Sequence, residues 1–187
     1  MAPEVMVPIA LDPAALAMAV AGRGQAALRR FLALRAGGAK DLLLFSDQPD
    51  QFEAALKESL RPLLPGHSDL AGLRALWIVG LPTDAAQQLA ASARSERVLV
   101  NVEDRPELCD FHCVAEVRRG DLLLTVSTSG ASPGLSARLR ARLAAEFGPE
   151  WSERLALLRD HRMAWRGQGR DVAAETDALL QANGWLA

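Results

Sequence analysis

The first hundred residues alternate short apolar segments with segments of helical periodicity, and this alternation limits the possible folds more than any other feature. Apolar runs bounded by glycine, proline or aspartate predict strands, and apolar residues spaced three and four apart predict helices. The predicted strands are 16–20, 41–45, 73–80 and 98–102, and the predicted helices are 25–35, 51–60 and 84–94. Strands alternating with helices form a parallel sheet covered by helices. We therefore expect an α/β domain in the first half of the chain.

The second half of the chain follows another pattern. Residues 113–118 and 122–127 flank Arg119-Gly120-Asp121, which is typical of a tight turn between antiparallel strands. Ser132 and Pro133 then predict the start of a helix, because serine caps helices and proline suits their first turn. Apolar residues recur every four positions along that helix, at Leu135, Leu139, Leu143 and Phe147. Two further amphipathic helices are predicted at 150–163 and 171–182, with a short linker at 167–169.

Charge and composition exclude several classes of protein. The formal net charge of −2 gives no global field for binding nucleic acid. No apolar stretch approaches the length that spans a bilayer, and the first basic residue, Arg23, follows the only run resembling a signal-peptide core. The chain has only two cysteines, Cys109 and Cys113, which predicts a reducing, cytoplasmic location. Arginine supplies 19 of the 21 basic residues, which suits an anionic ligand; the alternative explanation is genomic bias.

A glycine motif lies between the first predicted strand and helix. Gly22-Arg23-Gly24-Gln25-Ala26-Ala27 matches G-x-G-x-x-A, in which glycines let the backbone approach a pyrophosphate at a helix N-terminus. Asp47 ends the second strand 25 residues after Gly22, close to the spacing of an acid that meets the adenosine ribose. Two glycines also suit a plain tight turn. The flanking strand, helix and acid favour an NAD site, and Asp47 disfavours the 2′-phosphate of NADP.

Two polar segments are further candidates for the site. Asn101-Val102-Glu103-Asp104-Arg105-Pro106 follows the fourth strand, where carboxylates of such sheets face the ligand crevice. Asp104 is a candidate general base, and the alternative is a solvated acidic turn. The loop at 127–133 offers hydroxyl and N–H groups that suit carboxylates, with support from Arg138 and Arg142. The alternative for this loop is a simple helix cap.

Cys109, His112 and Cys113 form a small cluster that resembles part of a metal site. A single triplet, with no second pair of cysteine or histidine ligands, falls short of a structural zinc pattern. Buried structural cysteines are the more frequent case. We therefore assign no fixed metal, with Asp104 as a candidate for transient metal contact.

In order and spacing, residues 7–150 resemble the precorrin-2 dehydrogenase/sirohydrochlorin ferrochelatase family, the N-terminal module of sirohaem synthase. The strongest match is the segment 98–106, followed at Phe111 by the family's short hydrophobic strand. The segment 122–138 is nearly as close. In it, Ser127-Thr128-Ser129-Gly130-Ala131-Ser132-Pro133 resembles the family's S-S-x-G-x-S-P loop, and Leu135-Ser136-Ala137-Arg138 resembles its L-A-R continuation.

The resemblance implies a Rossmann-type NAD-binding domain at 1–112, a strand and helix dimerisation region at 113–148, and a small helical domain at 149–187. It implies a homodimer that oxidises precorrin-2, an anionic tetrapyrrole, to sirohydrochlorin, with Fe²⁺ inserted afterwards in many members. The implied catalytic residue is Asp104. The expected NAD contacts are Gly22, Arg23, Gly24, Gln25, Ala26, Ser46, Asp47 and Gly80. The expected substrate contacts are Asn101, Arg105, Ser127, Thr128, Ser129, Gly130, Ser132 and Arg138.

The chain departs from the family pattern at three places. Arg23 replaces a glycine of the G-G-G-x-V-A loop, and Val79-Gly80-Leu81-Pro82 replaces A-A-T-D after the third predicted strand. Thr128 stands where some members carry a phosphorylatable serine. Three hypotheses follow: a bifunctional dehydrogenase and chelatase, a dehydrogenase alone, and a non-catalytic tetrapyrrole- or nucleotide-binding module that has lost its NAD site.

Overall fold

A computed structural model describes residues 6–52, 56 and 58–186. The chain divides into two compact units, 1–113 and 114–187. The family resemblance divides the chain into three parts, after residues 112 and 148. The two units have one boundary, after residue 113, so the three-part division stays a prediction. Among the described residues, no helix combines the length and the apolar character that crossing a bilayer requires.

The first unit contains the predicted parallel sheet. Its strands are β1 (Met18–Gly22), β2 (Leu42–Phe45), β3 (Leu60–Arg61), β4 (Ala75–Val79) and β5 (Leu99–Val102). They are parallel and lie in the order β3-β2-β1-β4-β5, which is that of a Rossmann-type half-sheet. The helices are α1 (Gly24–Ala36), α2 (His67–Leu70) and α3 (Thr83–Ser95), with 3-10 turns at Pro49–Gln51 and Pro106–Leu108. The predicted α/β fold class is confirmed.

Burial on both faces explains why β1 and β4 are continuously apolar. Every residue of these two strands is buried, as expected for central strands of a parallel sheet with helices on both sides. Met18 and Val20 pack with Ala27 and Phe31 of α1. Alternate residues of β1 pack on the opposite face with α3. The sheet therefore lies between two apolar layers, one on each face.

Two expectations for the first unit differ from the structure. The predicted helix 51–60 falls partly on residues 53–55 and 57, which lie outside the described residues. At the two ends of this range, Gln51 belongs to a 3-10 turn and Leu60 belongs to the edge strand β3. The strand expected at Phe111 is wrong, because this residue lies in a bend and its ring packs edge-on against Trp77, with centroids 5.1 Å apart. Phe111 is apolar because it covers the sheet.

The second unit contains the predicted hairpin and three helices. Strands β6 (Ala115–Arg119) and β7 (Leu122–Val126) are antiparallel, and α4 (Pro133–Glu146), α5 (Trp151–Gly167) and α6 (Val172–Ala182) follow. The Arg119 guanidinium donates to the carbonyl oxygens of Phe147 (2.8 Å) and Ala144 (3.1 Å). These bonds satisfy carbonyl groups at the end of α4 that have no intrahelical donor, and so they tie α4 to the hairpin.

Candidate functional site

The glycine turn between β1 and α1 requires glycine for two separate reasons. A Cβ on Gly22 would lie 2.0 Å from the carbonyl oxygen of Val79 in β4, a distance that no side chain tolerates. Gly24 has a φ of +65°, which L-residues with a side chain adopt at a cost. The turn therefore brings bare backbone to the carboxyl edge of the sheet, as a dinucleotide site requires.

The start of α1 presents N–H groups at this edge. The N–H groups of Gln25 and Ala26 lie in the first helical turn, where helix geometry supplies no acceptor. The N–H of Gly24 donates to Oε1 of Gln51 at 2.8 Å. On the other side, Gly80 has a φ of +67°, and a Cβ on it would lie 2.9 Å from the carbonyl oxygen of Arg23. The backbone arrangement fits the phosphates of a dinucleotide.

Arg23 and Asp47 form a two-bond ion pair across the glycine turn. Arg23 Nε donates to Asp47 Oδ1 at 2.8 Å, and Nη2 donates to Oδ2 at 2.6 Å. The hydrogen bonds from Arg23 hold the pKa of the Asp47 carboxyl below its ordinary value, and those to Asp47 raise the pKa of the guanidinium. Ser46, the preceding residue, is fully buried, and its Oγ accepts from the N–H of Gln48. Asp47 is thus ionised and already partnered.

Asp104 lies in the turn that follows β5. The N–H of Glu103 donates to the carbonyl oxygen of Ile78 in β4 (3.0 Å), and that of Arg105 donates to Val102 (3.2 Å). Between them Asp104 is exposed and has a φ of +60°, a left-handed conformation that non-glycine residues adopt mainly where the surroundings enforce it. Because β5 lies two strands from β1, roughly 10 Å of sheet separates their axes. The acid and the glycine turn share one edge.

A groove lies between α1 and the turn after β5. It has a volume of about 240 Å³ and is lined by Ala26, Arg29, Arg30, Ala33 and Glu103. Nε of Arg30 is buried and has no hydrogen-bond partner among the described residues. Two guanidinium groups beside a polar strand end suit a ligand that carries carboxylates. The sequence analysis did not select Arg29 and Arg30, although their helical spacing from Ala26 indicated a shared face.

Asn101 and the two cysteines stabilise the segment that follows the acidic turn. Asn101 is only 8% exposed, and its Nδ2 donates to the carbonyl oxygen of Phe111 at 2.9 Å. The Sγ of Cys109 accepts from the N–H of Val102 at 3.2 Å, and burial raises the pKa of this thiol. Asn101 is therefore engaged within the fold, and its part in substrate binding stays a prediction. Within the described ranges, no three histidine, cysteine or acidic side chains gather into a possible metal site.

The hydroxyl-rich loop belongs to the second unit and is internally bonded. Oγ of Ser132 accepts from the N–H of Leu135, which confirms the predicted cap of α4. Oγ1 of Thr128 accepts from the N–H of Ser132 at 3.2 Å and lies 3.0 Å from Oγ of Ser136. Two neighbouring residues have positive φ, namely Ser129 at +50° and Gly130 at +80°. The roles of this loop (Ser127, Thr128, Ser129, Gly130, Ser132) and of the exposed Arg138 in substrate binding stay predictions.

Gln51 is the residue at the glycine turn that sequence reasoning missed. Its Oε1 accepts from Gly24, and its Nε2 donates to Oε1 of Gln48 at 2.5 Å. The only sequence signal was its position a few residues after Asp47, where a loop from β2 returns to the sheet edge. The side-chain amide of Gln51 thus accepts a hydrogen bond from the Gly24 N–H, which is otherwise available to a phosphate oxygen.

Comparisons with known proteins agree with this arrangement. Residues 9–115 match a family model described as "Putative NAD(P)-binding", and residues 119–146 match one described as "Sirohaem biosynthesis protein central". The siroheme synthase of Methylococcus capsulatus is 36% identical over 141 residues, which cover 73% of this chain and 29% of that protein. The siroheme synthase of Nitrosococcus oceani is 30% identical over 164 residues, or 78% of this chain and 35% of that protein.

A solved structure shares the fold. SirC, a precorrin-2 dehydrogenase, superposes with a TM-score of 0.63 at 22% identity, covering 84% of this chain and 79% of that chain. At this level of identity the likeness concerns the fold. The chain spans about a third of the length of the curated relatives described above.

Proposed function

This chain belongs to the family of NAD(P)-binding modules found in sirohaem synthases, and on that premise we propose that it oxidises precorrin-2 to sirohydrochlorin with NAD as the hydride acceptor. One observation supports the proposal most directly. The glycine turn after β1 and Asp104 after β5 lie at the same carboxyl edge of one parallel sheet, with an arginine-lined groove beside them. Ligands of open α/β sheets bind at this edge.

The glycine turn holds the dinucleotide. The N–H groups of Gln25 and Ala26 donate to its phosphates, and the positive end of the α1 dipole favours their charge. Gly22 and Gly80 let the turn pack against the backbone of Val79 and Arg23, where a Cβ would clash. NAD, when bound here, supplies the acceptor for the hydride that leaves the substrate.

Asp104 removes the proton that accompanies hydride loss. The reaction converts precorrin-2 and NAD⁺ into sirohydrochlorin, NADH and one proton, so one carbon–hydrogen bond loses its electron pair to the dinucleotide and a proton leaves the ring system. The Asp104 carboxylate, in the turn that begins with the groove residue Glu103, accepts this proton, and its exposure lets water carry the proton away. Arg29 and Arg30 pair with carboxylates on the rim of the macrocycle and position it beside Asp104.

For the second unit we propose a carboxylate-binding role and the dimer interface. The start of α4, with the loop 127–132 and Arg138, offers hydrogen-bond donors that suit carboxylates. Helix α4 has no buried residue, and its apolar side chains Leu135 and Leu139 are 48% and 41% exposed. An apolar stripe of this kind is typical of a surface that is covered in an assembly. We place the homodimer contact there.

Replacing Leu139 with glutamate is expected to convert the dimer into monomer, because a charge would enter the apolar contact. Sedimentation velocity of the full chain would report the change as a lower mass. Glu146→Gln on the same helix is the control, since Glu146 is exposed and polar and lies at the end of α4, and it should leave the mass unchanged. A wild-type chain that sediments as a monomer at micromolar concentration would exclude the dimer.

We also propose that ferrous iron is a second substrate, inserted into sirohydrochlorin after oxidation. Insertion displaces two pyrrole protons, and the exposed carboxylate of Asp104 accepts them in turn. Cys109 and Cys113 are free thiols, which accords with a reducing, cytoplasmic setting in which Fe²⁺ is stable. The family resemblance supports this step, and the alternative is a dehydrogenase that leaves iron insertion to another enzyme.

One anaerobic assay tests both steps on the full chain. Precorrin-2 incubated with the protein and NAD should give the absorption of sirohydrochlorin together with one NADH per ring, and no change should occur without NAD. Addition of Fe²⁺ should then give the sirohaem spectrum faster than a protein-free control. If precorrin-2 is oxidised but iron insertion is no faster than in the protein-free control, the chain is a dehydrogenase without chelatase activity. Absence of NAD binding by calorimetry would instead favour the non-catalytic module.

A further inference from the structure

The ion pair between Arg23 and Asp47 changes the charge at the end of β2. Both carboxylate oxygens of Asp47 accept hydrogen bonds from one guanidinium, at 2.8 and 2.6 Å. The two side chains are 28% and 33% exposed, so a ligand can reach them. The acid that would repel a phosphate is thus neutralised by a cation from the glycine turn itself.

Dinucleotide-binding folds distinguish NAD from NADP at this place. An acid at the end of the second strand binds the 2′-hydroxyl of the adenosine ribose, and an arginine nearby accommodates a 2′-phosphate. This chain carries both groups within hydrogen-bond distance of each other. The Arg23 guanidinium therefore lies where the 2′-substituent would arrive, and its planar fork matches a phosphate as well as a carboxylate.

We propose that Arg23 makes this site accept NADP as well as NAD, by exchanging the carboxylate of Asp47 for the 2′-phosphate. The inference rests on the dinucleotide site proposed above and concerns which dinucleotide it takes. It revises the expectation that Asp47 disfavours a 2′-phosphate. In the loop that follows Asp47, Gln48 and Gln51 are neutral and share a hydrogen bond, and Asp50 between them is an exposed acid.

Backbone geometry allows Arg23 to be replaced without loss of the turn. Arg23 has a φ of −129° and a ψ of 153°, which is ordinary extended backbone, and its N–H bond to Val79 does not involve the side chain. Arg23→Gln removes the charge and keeps most of the length. Arg35→Gln is the matched control, because Arg35 lies in the last turn of α1, away from the glycine turn, and is exposed.

Dissociation constants for NAD and NADP, measured by calorimetry on the full chain, test the proposal. The wild-type protein should bind the two dinucleotides within roughly tenfold of each other. Arg23→Gln should weaken NADP about tenfold or more relative to NAD, because charge-assisted hydrogen bonds to the phosphate are lost. Asp47→Asn should strengthen NADP binding relative to NAD binding by a similar factor, because the carboxylate that competes for Arg23 is gone. Arg35→Gln should leave the ratio unchanged.

Two results would overturn the inference. Wild-type protein that binds NAD but not NADP would show that Asp47 still excludes the phosphate, while the proposed dehydrogenase would stand. An unchanged ratio in Arg23→Gln would show that Arg23 does not meet the 2′-phosphate. If the wild-type chain bound neither dinucleotide, the proposed function would fail together with this inference.

Discussion

Replacing Asp104 with asparagine is expected to lower the rate of precorrin-2 oxidation by roughly 10²- to 10⁴-fold, the usual contribution of a general base. The amide keeps the size of the side chain but cannot accept a proton. The fold should be unaffected, because Asn tolerates the left-handed conformation that position 104 adopts, with its φ of +60°. Single-turnover oxidation with saturating NAD measures the loss, and calorimetric NAD binding checks that the glycine turn is intact.

Glu107→Gln is the matched control for this variant. Glu107 is an exposed acid three residues further along, in the 3-10 turn Pro106–Leu108. Its replacement removes the same charge from the same neighbourhood and should change the rate less than about twofold, since the general-base contribution is specific to one positioned group. Full activity of Asp104→Asn would assign the base to another residue.

Replacing Gly22 with alanine is expected to destabilise the first unit by about 3 kcal/mol or more, at the upper end of overpacking effects. The new Cβ would lie 2.0 Å from the carbonyl oxygen of Val79, and that atom is backbone of a fully buried strand. Relief requires β1 and β4 to move apart where Gly22 pairs with Val79. Urea denaturation followed by tryptophan fluorescence, with Trp77 in β4 as the reporter, would show a lower midpoint. NAD affinity should fall with it.

Gly66→Ala provides the comparison within the same unit. Gly66 has a φ of −88°, and a Cβ there would have Asp69 Oδ2 at 3.7 Å as its nearest neighbour, which is ordinary contact. The expected cost is about 0.5–1 kcal/mol, because glycine is a better helix N-cap than alanine. Equal shifts for the two variants would mean that the close approach of β1 to β4 does not limit position 22.

The parallel sheet could be predicted from the sequence because its signals are local. The central strands are apolar throughout, and each helix starts or ends at a residue with a clear conformational preference, such as Gly24 or Ser132. Strand β3 has only two residues, Leu60–Arg61, and forms by pairing with the edge of β2. Two residues carry no periodicity, so this strand could not be predicted. The strand expected at Phe111 was wrong for a related reason. An apolar residue suits both a strand and packing against Trp77, so its type alone does not distinguish them.

The site was predictable in outline and not in its contacts. Gly22 ends β1, and Asp47 and Asp104 follow β2 and β5; parallel strands bring their carboxyl ends to one edge. The pairing of Arg23 with Asp47 joins residues 24 positions apart, and that of Gly24 with Gln51 joins residues 27 apart. Such contacts depend on the register of the sheet and on side-chain length, which periodicity does not report. The groove lined by Arg29 and Arg30 depends in the same way on how α1 lies over the turn after β5.

The bonds from Gly24 to Gln51 and from Arg23 to Asp47 have a consequence for turnover. In the proposed mode of binding, a dinucleotide replaces contacts that the chain already makes with itself, so we expect a smaller net gain in binding free energy than its own contacts would give. The same side chains return to their internal partners as the spent coenzyme departs. We therefore expect the product coenzyme to leave this cleft faster than it would if these side chains had no internal partners.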